Sequence, residues 1–375
     1  MNILFVTACF PGEEKPYYCI YLEQQARALQ KLGNRVEILM PVYSETSGEI
    51  RDYHGLTVHT LGLKKSIPNQ LVTTPENRRC LAGFGWQDYD AVSIHLVPTP
   101  VACTVAALCK KHGVKTLMHI HGLNVWSEYD PGRGLKSAVL GRYFNILTRK
   151  LFRTCNGVVG VSRRTCEEIN RLMPKTPTHC VYNGVELSAF YPAENPLPRE
   201  PFTVVCVANL IPIKGQRYLL EAMADLKETV RLLLIGEGQE EQTLRTLTRE
   251  LGIESRVTFA GGLPYPEVAQ KLRGSHMFIM PSCFEAFGCV FVEAMASGIL
   301  TCGCVDTGAD EIITSGVDGL LLPQKDSNAI ARAIRFAMED PKASEIARQG
   351  VLRARELSWE RSAKTLMAVY QSIQK

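Results

Sequence analysis

Short apolar runs alternate with longer amphipathic segments along the whole chain. Ile3–Thr7, Val36–Met40, Ala91–Leu96, Thr116–Ile120, Val158–Val161 and His179–Tyr182 predict buried strands. Between them, Tyr21–Lys31 and Val101–Lys111 repeat their apolar positions at helical spacing. Strands apolar on both faces, separated by helices, predict an α/β architecture with a doubly wound parallel sheet. The rhythm breaks between Tyr191 and Pro201, where four prolines can continue neither a helix nor a central strand, so a linker is expected there. A second series follows, with strands at Val204–Ala208, Leu232–Ile235, Val257–Ala260, Met277–Met280 and Ile299–Cys302 and helices at Gln216–Ala224, Glu240–Leu251 and Pro266–Leu272. Helical patterns close the chain, at Asn328–Met338, Lys342–Glu356 and Glu360–Ile373. Two doubly wound domains in tandem are expected, 1–190 and 200–358, with a ligand held in a cleft between them at the carboxyl ends of the strands. The final helix, 359–375, is expected to cross back onto the first domain.

At 375 residues the chain exceeds what one core usually serves, which agrees with two domains. Hydrophobic residues at 46% and charged residues at 21% describe an ordinary globular protein. A net charge of +4 permits an anionic ligand or membrane surface but is too weak to argue for nucleic acid, and none is expected as a partner. The thirteen cysteines are scattered through apolar runs such as Val205-Cys206-Val207, and Cys302-Gly303-Cys304 is spaced too tightly for zinc. They read as reduced core residues of a cytosolic protein, and no metal site is expected. The start, Met1 to Val6, reads as a first strand rather than a leader, and no apolar run reaches the roughly 20 residues that span a bilayer. The expected place is the cytoplasm, or the inner face of the plasma membrane.

The most informative stretch runs from Ser282 to Gly298 and carries two carboxylates in an E-x7-E spacing, Glu285 and Glu293. The run His276–Met280 before it predicts a strand, and Cys289–Ala296 after it predicts a helix stopped by Gly298. Glu285 then sits in a strand-to-helix loop and Glu293 on the helix itself. A helix start beside Gly288 suits a phosphate, because free N–H groups and the dipole both point at it. Two carboxylates flanking that seat suit the hydroxyls of a sugar and of a ribose. Alone, such a pair is usually surface charge; here the apolar surroundings argue otherwise. Lys214-Gly215, at another strand-to-helix turn, fits phosphate binding equally well as a solvated lysine beside a glycine turn.

Taken together, Lys214-Gly215, Ile235-Gly236-Glu237-Gly238, Phe259-Ala260-Gly261, Pro281 to Gly298, Gly308–Ile313 and Gly316–Pro323 resemble the retaining glycosyltransferases of family 4, of GT-B fold. His121-Gly122, Val161-Ser162 and Asn183-Gly184-Val185 extend the resemblance across the first half. It implies two Rossmann-like domains facing a central cleft and transfer of a sugar from a nucleotide diphosphate donor, with retention, in bacterial cell-surface polysaccharide or glycolipid assembly. Lys214 would contact the donor diphosphate, Glu285 the sugar hydroxyls near the reacting centre and Glu293 the ribose. Leu263 would meet the base and His121 the sugar and acceptor. A double displacement would need a carboxylate nucleophile beside the anomeric carbon, and the sequence offers no candidate; the resemblance implies attack from the same face by the acceptor, the departing phosphate taking its proton. UDP is the first expectation for the base, with GDP and ADP open, and no cofactor is expected. The acceptor would be a sugar or a lipid-linked saccharide. Two positions depart from the pattern. Asn209 stands where an arginine usually pairs with the lysine, leaving more of the donor's charge to Lys214. Tyr18 and Cys19 occupy a first loop where glycine is usual. A nucleotide-sugar epimerase of the same architecture and a non-catalytic nucleotide-binding subunit are the alternatives.

A helix over Leu135–Arg153 would group Leu140, Tyr143, Leu147 and Leu151 on one side and Arg142, Arg149 and Arg153 on another. That pattern fits peripheral contact with anionic lipid, and equally a helix half-buried on its own sheet with a solvated basic face.

Overall fold

The computed structural model describes residues 1–12, 16–43, 48–64, 73–122, 135–195, 197–198 and 200–374, with the side chains of 135–140 left out. The chain divides into two units: the first comprises Met1–Gly12, Tyr18–Tyr182 and Ser362–Lys375, the second Glu13–Tyr17 and Asn183–Arg361. The split falls at Tyr182–Asn183, ahead of the proline-rich stretch. Pro196 and Arg199 of that stretch lie outside the described residues, and the rest of it belongs to the second unit.

The first unit contains β1 Asn2–Thr7, α1 Ile20–Lys31, β2 Arg35–Val42, β3 Glu49–Tyr53, β4 Leu56–Gly62, α2 Pro75–Ala82, β5 Ala91–His95, α3 Pro100–Lys111, β6 Lys115–Ile120, α4 Leu135–Thr154, β7 Gly157–Gly160, α5 Arg163–Leu172 and β8 Thr178–Cys180. Its eight strands run β3-β4-β2-β1-β5-β6-β7-β8, and the only antiparallel pair among them is β3 with β4. Ile3, Leu4, Phe5 and Val6 of the central β1 are wholly buried, as a strand covered on both faces must be. Helix starts follow side-chain chemistry. Thr99 and Ser162 accept the N–H groups of Ala102 and Thr165, opening α3 and α5.

Three findings depart from the sequence reading. The β3–β4 hairpin was not expected: β3 is an exposed, charged edge carrying Glu49, Arg51 and Asp52, so it lacks apolar alternation. Its turn places His54 at φ 52° and Gly55 at φ 83°, the pair of positive angles a two-residue hairpin favours. The short β14 of the second unit was also missed. Cys9 and Cys19 are joined in a disulfide with Cα atoms 6.3 Å apart, so not every cysteine is reduced. The loop leaving β1 brings the two residues together at the start of α1, which a spacing of ten gave no reason to expect. Of the two readings open for α4, its apolar side packs internally: Leu147 and Leu151 are buried in the first unit's core with Tyr143 packed against it. Leu140's side chain lies outside the described residues. Arg142, Arg149 and Arg153 are exposed, so the described apolar positions of that stripe serve the core while the basic ones face outward.

The second unit contains β9 Phe202–Val207, α6 Gln216–Ala224, β10 Val230–Ile235, α7 Glu241–Glu250, β11 Val257–Phe259, α8 Tyr265–Arg273, β12 Met277–Ile279, α9 Cys289–Ala296, β13 Leu300–Cys304, β14 Leu320–Leu322, α10 Ser327–Glu339 and α11 Lys342–Glu356. The strand order is β11-β10-β9-β12-β13-β14, every pair parallel. Connections leave β9 toward β10 on one side, and β12 lies on the other. The loops after β9 and β12 therefore meet at the point where the winding reverses, where open α/β sheets bind ligands. The chain closes with α12, Trp359–Gln374, whose residues from Ser362 onward belong to the first unit. Among the described residues no helix is long and apolar enough to cross a membrane.

Candidate active site

Lys214 ends a short turn of 3-10 helix after β9, and Gly215 follows in a left-handed conformation at φ 70°. A Cβ there would stand 2.2 Å from the carbonyl oxygen of Pro281, so only glycine lets the turn lie this close to the chain leaving β12. The N–H of Cys283 donates to the Ile213 carbonyl at 2.8 Å, joining the two loops directly. Across that seam Lys214 Nζ donates to Glu285 Oε1 at 2.5 Å, and Ser282 Oγ donates to the same oxygen at 2.9 Å. Both contacts fall on Oε1, so Oε2 carries neither. Glu285 is only 8% exposed, and the Gly308 N–H fixes its main-chain carbonyl at 2.9 Å. A charge so buried is tolerable because it is paired and hydrogen-bonded.

Gly288 caps α9 at φ 90°. A Cβ would meet the ring of Phe291 at 2.6 Å and would lie 3.8 Å from Cγ of Glu285, so the helix start abuts that carboxylate. Glu293 lies on α9, 6% exposed, and burial pushes its carboxyl up to about 7. The hydroxyl of Tyr265, at the start of α8, donates to it and pulls the other way without offsetting the burial. Burial, reinforced by that carboxylate, holds the Tyr265 hydroxyl well above its ordinary value. The structure thus brings Lys214, Glu285 and Gly288 together, with Glu293 on the helix they face. Asn209 is exposed, and its main-chain carbonyl rather than its amide is engaged, by the Gln216 side chain at 3.0 Å. Leu263, half-buried, follows β11 at the sheet edge, two strands from β9.

His121 belongs to the first unit, just beyond the end of β6. Its Nε2 lies 3.0 Å from His95 Nδ1, its ring centroid is 4.6 Å from that of Tyr21, and burial takes it down to about 4, so it is neutral at physiological pH. Sequence reasoning missed Ser282, Tyr265 and His95. The Ser282–Glu285 contact is local and sits within the motif. Tyr265 meets Glu293 only through the packing of α8 on α9, and His95 meets His121 only through strand pairing; neither leaves a mark in the sequence. Among the described residues no group of three or more histidines, cysteines or carboxylates is arranged to hold a metal ion.

The family model described as Glycosyltransferase Family 4 matches residues 20–189, and the one described as Glycosyl transferases group 1 matches 188–351. The D-inositol 3-phosphate glycosyltransferase 1 of Catenulispora acidiphila is 27% identical over 76% of this chain and 72% of its own length. The GDP-mannose-dependent monoacylated alpha-(1-6)-phosphatidylinositol monomannoside mannosyltransferase of Corynebacterium glutamicum is 26% identical over 72% of this chain and 73% of its own. Anabaena HepE, solved in complex with UDP-glucose, superposes with a TM-score of 0.76 at 19% identity, covering 99% of this chain and all of that one. So low an identity speaks for the fold alone. With its two halves matched in turn from residue 20 to 351, the chain belongs to the family 4 and group 1 glycosyltransferases, and it is a glycosyltransferase enzyme of GT-B fold.

Proposed function

We propose that this glycosyltransferase moves a hexose, with retention at the anomeric carbon, from a nucleoside diphosphate sugar to a sugar or lipid-linked saccharide acceptor in bacterial surface polysaccharide or glycolipid assembly. A UDP-sugar is the first choice of donor, by analogy with the ligand of HepE. GDP remains open, because the Corynebacterium relative is named for GDP-mannose. The observation that carries the reading is the Lys214–Glu285–Ser282 cluster, its serine and carboxylate buried, in the loop before α9. It joins a cation suited to a diphosphate and a carboxylate suited to sugar hydroxyls within one hydrogen bond.

In this reading the diphosphate sits between Lys214 and the first N–H groups of α9. As the bond from the anomeric carbon to the phosphate oxygen breaks, negative charge builds on the leaving group. Lys214 and those N–H groups stabilise it, each well-placed donor contributing about 3 kcal/mol, so no metal ion is required. Glu285 holds sugar hydroxyls, Glu293 the ribose hydroxyls, and Leu263 lies near the base. The acceptor hydroxyl attacks the face the phosphate leaves, and its proton passes to the departing phosphate. His121, neutral, supplies a hydrogen bond to the sugar. Membrane contact, if the acceptor is lipid-borne, is electrostatic and made by Arg142, Arg149 and Arg153.

The test is turnover of UDP- and GDP-sugars by wild type and Glu285→Ala, with thermal unfolding as the control for folding. Loss of transfer with an intact fold supports the reading; unchanged turnover removes Glu285 from the mechanism. Incubation with donor alone separates an epimerase, which alters the sugar, from a transferase, which at most hydrolyses it.

A further inference from the structure

Inside the first unit, two neighbouring strands carry polar residues at alternate positions: Ser93-Ile94-His95 on β5 and His119-Ile120-His121 at the end of β6. Alternation puts each pair on one face of the sheet, and the register, Ile94 opposite Met118, sets His95 beside His119. The three imidazoles stack, with ring centroids 4.2 Å apart for His95 and His119 and 5.3 Å for His95 and His121. Phe5 packs against His95 at 4.6 Å. His119 is held by Ser93 Oγ at 2.9 Å from Nε2, and that hydroxyl is bonded at 2.5 Å to Tyr370 of α12. Burial keeps all three rings neutral.

A neutral imidazole has one N–H and one lone pair. His95 Nδ1 and His121 Nε2, 3.0 Å apart, must therefore divide donor and acceptor between them. The other nitrogen of His95, Nε2, is buried with no hydrogen-bond partner among the described residues. A proton there would be an orphaned buried N–H, which folded proteins rarely tolerate; a lone pair there is the lesser loss. The proton of His95 accordingly belongs on Nδ1, where it is donated to His121 Nε2. His121 must then carry its own proton on Nδ1.

We propose that His95 is a positioning residue for glycosyl transfer: by donating from Nδ1 to Nε2 of His121 it fixes the ring and its tautomer, so that His121 offers an N–H donor and not a base. A hydrogen bond made by one ring nitrogen commonly sets the state of the other in this way. The catalytic half of the proposal rests on the proposed role of His121; the tautomer stands on the hydrogen-bond geometry of two buried, neutral rings.

Nitrogen-15 NMR of the histidine-labelled full-length protein near neutral pH reads each tautomer. His121 is expected as the Nδ1–H form, and a ring protonated on Nε2 overturns the proposal whatever the activity. His95→Phe preserves a stacked ring but removes the donor. It should lower kcat about tenfold, the scale of one lost hydrogen bond, with donor KM changed by less than about twofold. His95→Asn, whose amide can still donate from nearly the same place, should recover part of the rate and retain the Nδ1–H form of His121. An Asn variant no better than Phe at equal thermal stability would show a packing role only and overturn the proposal. Should His121→Ala leave turnover unchanged, the catalytic half falls with the role of His121, while the NMR result still decides the His95–His121 bond.

Discussion

Glu293→Gln separates two effects of pH that the wild-type carboxyl couples. Burial holds Glu293 near 7, against 4.5 for an ordinary glutamate. The unfolded chain therefore releases this proton at lower pH than the folded chain does. Stability from this group is complete below about 4.5 and is lost as pH rises through about 7, by about 3 kcal/mol in total. Donor binding should move the opposite way. A carboxylate that accepts two ribose hydroxyls must be ionised, so affinity should rise about tenfold per pH step below 7 and level off above it. Chemical denaturation and calorimetric titration with UDP, each between pH 5 and 8, measure the two slopes. Because other groups titrate in that range, the informative quantity is wild type minus Glu293→Gln. The glutamine variant should be more stable than wild type above pH 7, should show neither slope, and should bind UDP weakly throughout. Parallel stability curves for the two proteins would refute the buried, protonated Glu293. A UDP affinity in wild type that is flat with pH would refute the ribose role.

Three further outcomes follow from the same geometry. Lys214→Met should cut transfer at least about 100-fold, the scale of one lost electrostatic donor, and should cost stability because Glu285 stays buried with only Ser282 beside it; kinetics and denaturation measure both, and transfer near wild type would discount the lysine. Gly215→Ala should destabilise the protein by about 2 kcal/mol or more, from a left-handed alanine and a methyl group 2.2 Å from the Pro281 carbonyl, as a fall in the unfolding midpoint. Reversing Arg142, Arg149 and Arg153 to glutamate should abolish any binding to anionic vesicles, each arginine near the surface contributing about 1 kcal/mol; binding that survives both the reversal and high salt would show that another surface is used.

Much of the second unit was legible because its chemistry follows its strands. Lys214-Gly215 and Glu285 each lie just after an apolar run, and Cys289–Ala296 reads as a helix with Gly288 before it and Gly298 after it. What could not be read was which strands are neighbours. That β9 lies beside β12 is a non-local fact, and it alone turns two ordinary loop residues into an ion pair. The hairpin β3–β4 escaped for a different reason: an edge strand gains by exposing charge, which erases the pattern that reveals buried strands. The Cys9–Cys19 bond escaped because two cysteines ten apart carry no periodicity that would pair them.

Within the second unit, positions where local rules fail gather around the proposed donor site. Gly215 and Gly288 hold left-handed turns that other residues would strain, and Glu285 and Glu293 are carboxyls taken out of water. Each costs stability, and none is needed to build a doubly wound sheet, since β10 and α7 do so with ordinary residues. A fold selected for stability alone would replace a buried ion pair of this kind with apolar side chains at little loss. Their concentration on the loops after β9 and β12 and on α9, within one unit, fits the proposed charged, hydroxyl-rich ligand, with the sheet providing the rigid frame that keeps such groups in place.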